Sequence, residues 1–477
     1  MSNSDAARWH RRSERFLTAV KSGELKDTYQ HYQPGVTLMW LNALVKQSAF
    51  TAQLRYTNEP KTLENADYFP VIHGISKAAI VVVLGILFFI QLILINRIFS
   101  HKTSLIYGLL LVLEPYLIGI DRWFHLTSLE TYFLFTSFLC LVYWYKKFTG
   151  NSGKKYLFLA AVLFALAVLS KLTSLSALPT LLLIILFRNT GTDRPDKSIF
   201  KKECIIIAAK NVSIFTGVFL VTLFIVFPAF WVGPVNVITK LYDAVVGAVS
   251  DDIRGDYFYG VFSMFYYFII PAFKLSPITL IVFTASLIFF KRTFSSVPRL
   301  FSVVLLANLL IVLTVSDKKI DRYIIIMFPS ILLICSLFFS SLNRKLITGV
   351  FLAHLLVFLY AYLTYYPVFS AFYSPALGGT KKAMDLGIYE NSGEYFSDAA
   401  FYLNGLGRDK YVYIPNNFES FSYYYKGNIQ RDLGETTDYI VASLDFDRRN
   451  IEYVQCPVME KSFGPKNTPV VFIFKCK

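Results

Sequence analysis

The chain has 477 residues, of which 55% are hydrophobic and 17% aromatic, and its mean hydropathy is +0.48. This exceeds what a soluble chain of that length normally carries, so the composition predicts a multi-pass membrane protein and excludes an ordinary soluble enzyme. The formal charge of +15 is then expected to mark cytoplasmic loops rather than a nucleic-acid partner. The five cysteines show no metal or redox spacing. Cys456 and Cys476 can either pair or remain free thiols.

The opening region, Asp5 to Leu41, is polar, Arg-rich and aromatic. Trp9, Phe16 and Val20 recur near helical spacing, and the arginines between them lie mostly on the other side. This pattern predicts a helix lying on a membrane surface with its apolar side down. An amphipathic cytoplasmic arm is the alternative. After the turn at Pro34, the apolar run 36–45 is too short to cross a bilayer, which needs roughly 20 residues, so it is expected to be re-entrant or interfacial.

Long apolar segments follow a polar connection. They lie at 75–96, 104–120, 124–145, 156–171, 173–187, 211–232, 272–290, 300–316, 323–341 and 346–366. Their length predicts about ten membrane helices. The connections around 146–155, 188–210 and 291–299 are strongly basic, which assigns them to the cytoplasm. The opening region and the tail then share the outer face. That placement leads us to expect a further helix before the first residue of this sequence.

The composition changes after Tyr366. Apolar runs shorten to strand length at Tyr411–Ile414, Tyr439–Ser443 and Val470–Phe474, and turn residues separate them. The predicted fold is an all-α polytopic membrane protein with a small C-terminal extracytoplasmic α/β domain. The predicted divisions are an outer-face loop over 1–70, a transmembrane helical domain over 71–366 and the α/β domain over 367–477.

Charged residues at the outer ends of spans are costly and tend to be functional. Four groups of charged residues are predicted to lie at the outer face. They are Asp5; Glu114, Asp121, Arg122, His125 and Glu130; Lys318 to Tyr323 (KKIDRY); and Asp251, Asp252, Arg254 and Asp256. Such cations can hold a phosphate leaving group, and a carboxylate can deprotonate an acceptor. Structural roles compete with this interpretation. Asp5 can be a helix cap, Asp321 and Arg322 can be an ion pair, and the 251–256 acids can be a solvated loop.

Several short motifs occur along the chain in a distinctive order. They are Asp5, Arg8-Trp9, Arg12-Ser13, Phe16, Gln33-Pro34-Gly35-Val36-Thr37, Met39-Trp40-Leu41, Glu114-Pro115, RWFHL (Arg122–Leu126), FPAFWVGP (Phe227–Pro234), FKLSPITL (Phe273–Leu280), KKIDRY with Phe328-Pro329, and YSPALGG (Tyr373–Gly379). This ordered set resembles the polyprenyl-phosphate-dependent glycosyltransferases of the GT-C fold. The branch it is most similar to contains the protein O-mannosyltransferases and the lipid A aminoarabinose transferase. Members of that family have a helix before the first outer loop.

The resemblance implies an integral-membrane hexosyl- or pentosyltransferase that moves a sugar from a polyprenyl-phosphate donor to an acceptor hydroxyl, with inversion. Asp5 is implied as the catalytic base. The residues implied in substrate binding are Arg8, Arg12, Arg122, His125, Lys318, Lys319, Asp321, Arg322 and Tyr323. The acceptor can be a protein, a lipid or a glycan. The expected location is the plasma membrane of a prokaryote, with the active site on the extracytoplasmic face.

Three positions depart from the family pattern. Ala6 replaces an acid, Gln33 replaces the His of His-Pro-Gly, and Thr127 replaces an Asp, which puts acceptor binding or tuning of the base in question. No Gly-rich phosphate loop is present, so no nucleotide sugar is implied. A divalent cation is compatible with the chemistry, but the sequence has no cluster of metal ligands. The competing hypotheses are a transporter or flippase of lipid-linked sugars, an oligosaccharyltransferase or polymerising ligase, and a membrane scaffold.

Overall fold

A computed structural model of the chain describes residues 3–57, 68–147, 153–188, 202–250, 261–316, 319–443 and 456–476. The helices in these ranges are α1 (Ala6–Ser22), α2 (Val36–Thr57), α3 (Phe69–Ile98), α4 (His101–Val112), α5 (Pro115–Asp121), α6 (Leu126–Lys147), α7 (Lys154–Ser170), α8 (Leu178–Phe187), α9 (Lys202–Val226), α10 (Ala229–Val232), α11 (Pro234–Ser250), α12 (Val261–Lys274), α13 (Pro277–Ile288), α14 (Phe290–Thr293), α15 (Val297–Val315), α16 (Phe328–Phe339), α17 (Arg344–Tyr365), α18 (Gly379–Asp385), α19 (Phe396–Leu406) and α20 (Phe418–Ser422). Five short 3₁₀ turns also lie in the described ranges: Leu25–Thr28, Leu172–Ala177, Asp321–Met327, Phe369–Ala371 and Pro375–Leu377.

Six helical segments of the described chain are long and apolar enough to cross a membrane, or seven if the bent pair α4–α5 is one span. They are α3, α6, α9, α15, the segment Asp321–Phe339 and α17. The predicted total of about ten includes shorter helices such as α7, α8 and α13. The fold class predicted from the sequence, a helical multi-pass membrane protein with a small C-terminal sheet, is confirmed.

The spanning helices differ in how much of their surface is buried by protein. Helix α6 is enclosed by protein, with Phe138 and Trp144 fully buried, and it packs against α3 and α7. Helix α17 instead leaves Leu356 and Leu363 exposed, and α3 leaves Phe89 exposed. Large apolar side chains on the outside of a bundle are stable when they contact acyl chains. The exposed faces of α3 and α17 therefore belong to the lipid boundary.

The opening helix forms as predicted but lies elsewhere than expected. Helix α1 ends at Gly23, whose φ of 80° is readily adopted by glycine. Trp9 and Phe16, however, are buried in the protein core rather than available to a membrane. The ring of Trp9 packs so closely on Gly35 that a Cβ at that position would overlap it. The apolar side of α1 is therefore covered by protein, because the start of α2 packs against it, with Trp40 edge-to-face on Phe16 at 4.9 Å between ring centroids. Helix α2 also continues to Thr57, well beyond the predicted run.

A buried polar network joins α1 to α2 and α3. His10 Nε2 lies 3.1 Å from His73 Nδ1, and His10 Nδ1 lies 3.3 Å from Asn42 Nδ2. Asn42 Oδ1 accepts a hydrogen bond of 2.7 Å from Ser76. The ring of His10 also stacks on Phe124 with 4.1 Å between the ring centroids. Because buried polar groups cost free energy unless they are paired, this network selects one placement of α1.

Lys46 in α2 makes the stability of the contact between α1 and α2 depend on pH. Its ammonium is buried, donates to the carbonyl of His10 and pairs with Glu14 at 3.0 Å. Burial lowers the pKa of Lys46 to about 8 from the ordinary 10.5. Between these two values the unfolded chain binds the proton and the folded chain does not, so the free energy of unfolding rises with pH.

We therefore expect the parent protein to gain stability relative to Lys46→Met as the pH is raised from 8 to 10. A pKa shift of this size corresponds to about 3 kcal/mol at most. Thermal unfolding in detergent at a series of pH values measures the difference between the two proteins. A difference that stays constant over that range would rule out the lowered pKa.

The tail forms a mixed five-stranded sheet of β1 (Tyr411–Tyr413), β2 (Asn428–Gln430), β3 (Tyr439–Ser443), β4 (Val458–Phe463) and β5 (Val471–Lys475). The strand order is β2-β1-β3-β5-β4, with parallel pairing of β1 to β2 and β3 and antiparallel pairing of β5 to β3 and β4. The three strands predicted from the sequence are present, and β2 and β4 are additional. Cys456 and Cys476 form a disulfide. Helix α20 contacts α1, so the tail meets the opening region directly.

Candidate functional site

Asp5 is at the N-terminus of α1, but its carboxylate does not cap the helix. The side chain turns instead toward three cationic or imidazole groups. Its oxygens lie 3.0 Å from the guanidinium of Arg322, 3.5 Å from Nε2 of His125 and 3.8 Å from the guanidinium of Arg8. Arg322 is 317 positions away in the sequence. The carboxylate therefore joins the opening region to the start of a distant spanning segment.

The surroundings of Asp5 hold it in the ionised form. Burial alone would raise the pKa of its carboxyl group, but Arg322, His125 and Arg8 together outweigh burial and hold the pKa far below its usual range. Only 21% of the side chain is exposed. The site thus contains a poorly hydrated carboxylate whose charge depends on its neighbours.

His125 is neutral at ordinary pH. Its pKa is lowered to about 4, mainly by burial and also by the nearby charges of Arg322 and Lys171, which together outweigh the opposite effect of Asp5. The backbone N–H of Thr127 donates to Nδ1 of His125 at 3.3 Å. The ring proton therefore lies on Nε2, which faces Asp5, so the imidazole serves as a donor that orients the carboxylate.

A second carboxylate and cation lie close by. Lys171 is buried, lies 3.7 Å from the carboxylate of Glu130 and sits 3.6 Å from the ring centre of Tyr323. Ser174 donates to Glu130 at 3.2 Å, and Thr173 also donates to it. Tyr323 directly follows Arg322, so Lys171 is brought next to the residues around Asp5. The buried ammonium of Lys171 is thus held by both a carboxylate and an aromatic face.

The Gln-Pro-Gly segment is packed against the start of this second group. The amide oxygen of Gln33 accepts from the N–H of Leu172 at 3.2 Å, and the N–H of Gly35 donates to the carbonyl of Ser170 at 3.2 Å. These two bonds hold Ser170 and Leu172, the residues directly before and after Lys171. The residue at position 33 therefore helps to place Lys171, although it is not the histidine of the family pattern.

Asp321 has a different role from Arg322. Its carboxylate forms a buried ion pair of 2.9 Å with Lys274, and its N–H donates to Glu390 at 3.0 Å. The ammonium of Lys274 also lies 3.6 Å from the ring centre of Tyr373. These contacts join α12, the 321–327 turn and the start of the tail. They hold the backbone from which Arg322 projects.

Other predicted residues lie in structural contacts. Arg12 stacks on the ring of Trp9 at 4.5 Å, Arg122 donates to the carbonyl of Pro367 at 3.3 Å, and Lys319 donates to carbonyls at the end of α15. Glu114 accepts from the N–H of Ser276 and from Thr279, and Asp121 accepts from Tyr132. Lys318 and the acids of 251–256 lie outside the described residues.

Four residues of this region were not predicted as site residues from the sequence: Lys171, Lys274, Arg11 and Glu419. Lys171 and Lys274 are single cations within apolar stretches, which is a usable signal because a buried charge needs a partner. Arg11 and Glu419 meet at 2.5 Å across 408 positions, and no local pattern indicates such a pair. Among the described residues, no group of three or more His, Cys, Asp and Glu side chains could hold a metal ion.

No family model and no curated protein matches this chain. Solved structures do resemble it. ArnT from Cupriavidus metallidurans in the apo state aligns at 11% identity and a TM-score of 0.48, over 98% of this chain and 93% of that one. The same protein bound to undecaprenyl phosphate aligns at 12% identity and 0.47 over the same shares. The Archaeoglobus fulgidus oligosaccharyltransferase complex with Zn and sulfate aligns at 12% and 0.43, over 94% of this chain and 65% of that one. Likeness at this level assigns no function.

The fold and the site together define a multi-pass helical membrane protein. Its ionic site is built from the opening region, the 321–327 turn and residues at the ends of spanning helices.

Proposed function

We propose that the protein is an integral-membrane glycosyltransferase. It moves a hexose or pentose from a polyprenyl-phosphate donor to an acceptor hydroxyl on the extracytoplasmic face, with inversion at the sugar carbon. The observation that supports this most is the arrangement of Asp5 between Arg322 and His125. A carboxylate that caps no helix and lies beside a half-buried guanidinium and a neutral imidazole suits proton removal next to an anionic leaving group. The ordered motifs of the sequence support the same assignment.

In this mechanism Asp5 removes the proton from the acceptor hydroxyl as its oxygen attacks the anomeric carbon. The bond between that carbon and the phosphate oxygen breaks, and its electron pair leaves on the lipid phosphate. Arg322 is suited to hold that phosphate, because its Nε is buried without a hydrogen-bond partner among the described residues. Lys171, beside Tyr323, supplies a second cation.

Donor binding is also expected to raise the pKa of the catalytic base, Asp5. Arg322 is the strongest of the groups that lower the pKa of the Asp5 carboxyl. A phosphate that engages Arg322 neutralises much of that influence, so the pKa of Asp5 rises when the donor arrives. A carboxylate with too low a pKa is a weak base, and this rise moves it toward the operating pH. The base is therefore activated only in the complex with the donor.

The purified protein in vesicles, supplied with radiolabelled polyprenyl-phosphate sugars and candidate acceptors, tests the proposal. The transferase releases polyprenyl phosphate and places the label on an acceptor in equal amounts. Movement of the intact donor across the membrane without cleavage would contradict the proposal and identify a transporter.

Lys171→Gln is expected to lower kcat/KM for the donor by about 10²-fold, because one cation that binds and stabilises the phosphate is lost. The matched control is Lys26→Gln, which removes an exposed lysine of the opening region. Steady-state kinetics with varied donor concentration measure the effect. Equal kcat/KM in the two variants would remove Lys171 from donor binding.

A further inference from the structure

A wide polar cleft of about 960 Å³ lies between the opening helix and the tail. Ser4, Arg8 and Arg11 form one wall, and Asn416, Tyr423 and Arg431 belong to the other. The tail side is shaped by Asn417, whose positive φ of 52° starts α20, a conformation that Asn tolerates better than most residues. A cavity of this volume accommodates a ligand of several sugar rings.

The cleft has an excess of positive charge. Its lining includes the guanidinium groups of Arg8, Arg11 and Arg431, and Glu419 is its carboxylate. Glu419 pairs with Arg11 at 2.5 Å and with Arg8 at 3.4 Å. Arg431 lies 5.8 Å from the ring centre of Phe418. One carboxylate is thus shared by two of the three guanidinium groups.

The cleft leads to Asp5. Ser4 precedes Asp5 in the chain and lines the cleft, and Arg8 contacts both Asp5 at 3.8 Å and Glu419 at 3.4 Å. The guanidinium of Arg8 therefore lies between the cleft and the carboxylate. A ligand held by Arg8 and Arg11 would place its nearest hydroxyl groups next to Asp5.

We infer that this cleft binds the acceptor and that the acceptor is a glycan carrying an anionic group, either a phosphate or a carboxylate. The inference rests on the proposed transferase function and adds its acceptor class. Guanidinium groups bind oxyanions through paired, directional hydrogen bonds. Ser4, Asn416 and Tyr423 add polar surface to the lining. The Tyr423 hydroxyl accepts a hydrogen bond from Arg11, and the amide of Asn416 is bonded to Ser443.

The form of the cleft favours a glycan over an acidic peptide. Extended peptides commonly bind by adding a strand to the edge of a sheet. The residues that line this cleft lie on α1, on α20 and on the turns beside them, and Ile414 and Arg431 come just after β1 and β2. The cleft lining thus contains no strand residue for a peptide to pair with.

Glu419 acts as a counter-ion that the acceptor displaces. In the free protein it neutralises part of the charge on Arg8 and Arg11. An incoming phosphate or carboxylate must compete with it for the same donors. Removing the negative charge of Glu419 should therefore strengthen acceptor binding, whereas removing an arginine should weaken it.

The test uses the full-length protein in nanodiscs with a polyprenyl-phosphate sugar donor and three probes. The probes are one neutral disaccharide, the same disaccharide with a phosphate, and the same disaccharide with a uronate carboxylate. We expect both anionic probes to be glycosylated with a kcat/KM at least about tenfold above that of the neutral one. The phosphate and carboxylate arms show which anion is preferred.

Arg431→Gln and Arg11→Gln are each expected to reduce this preference by about tenfold, and Glu419→Gln to lower the KM for the anionic probes several-fold. The matched control is Arg408→Gln, an exposed arginine of the tail outside the cleft, which should leave the preference unchanged. The opposite signs expected at Glu419 and the arginines separate recognition from damage to the fold.

Three results would overturn the inference while leaving the transferase intact. They are equal use of neutral and anionic probes, an unchanged preference in Arg431→Gln and Arg11→Gln, and better transfer to an acidic peptide than to the anionic disaccharides. Absence of donor cleavage with every acceptor would overturn the proposed function and this inference with it.

Discussion

Asp5→Asn is expected to nearly abolish sugar transfer, lowering kcat by about 10²- to 10⁴-fold, which is the usual contribution of a general base. The amide has almost the shape of the carboxylate but cannot accept the proton of the acceptor. Arg322 loses its ionic partner at 3.0 Å and becomes more available to the donor phosphate. The affinity for the donor should therefore be unchanged or higher.

The matched control for this variant is Asp27→Asn, which removes an exposed carboxylate from the same opening region. Its kcat should match that of the parent protein. Donor affinity and kcat are measured on the same preparations, and thermal unfolding shows that the protein is folded. A kcat in Asp5→Asn within a few-fold of the parent would remove Asp5 from the role of base.

Lys274→Met is expected to destabilise the protein by about 3–5 kcal/mol, the usual effect of breaking a buried ion pair by removing one partner. Asp321 would remain buried without the ammonium that now lies 2.9 Å from it. Since Arg322 follows Asp321 directly, the change should also displace the guanidinium from Asp5 and reduce transfer.

Thermal and denaturant unfolding in detergent measure this effect. The exposed Lys381→Met of the tail is the control and should change stability by less than about 0.5 kcal/mol. The double variant Lys274→Met/Asp321→Leu removes both charges and should recover part of the lost stability. A loss in Lys274→Met no larger than in the control would show that the ion pair does not hold the 321–327 turn.

The sequence predicted the helical membrane architecture because apolar segments of spanning length are a direct consequence of bilayer thickness. It predicted α1 from the spacing of Trp9 and Phe16, but it placed the apolar side of that helix on the membrane. Burial by α2 could not be foreseen, because Gly35 and Trp40 meet Trp9 and Phe16 only after the chain turns back between the two helices, and local patterns do not indicate the path of that turn. Periodicity indicates that a helix has an apolar side, and it does not indicate what covers that side.

In the candidate site, too, the sequence predicted which residues are important better than it predicted their contacts. Asp5, His125 and Arg322 were all singled out from the sequence, and the structure brings them together. Arg122 and Lys319 look equally suitable in the sequence, yet the one donates to the carbonyl of Pro367 and the other to carbonyls that end α15. Whether a cation meets a carboxylate, as Arg322 does, or a backbone carbonyl depends on tertiary packing, so local charge patterns could not separate these contacts.

The configuration of the transferred sugar distinguishes direct attack by a deprotonated acceptor from other routes of transfer. In a single turnover with a donor of known anomeric configuration, NMR of the product assigns the new glycosidic bond. Direct attack by an acceptor that Asp5 has deprotonated predicts inversion in every product molecule. Retention of configuration would require either two displacements through a covalent sugar–enzyme intermediate or attack from the face that the phosphate leaves. Either route would contradict the assignment of Asp5 as the base of a single-step transfer with inversion.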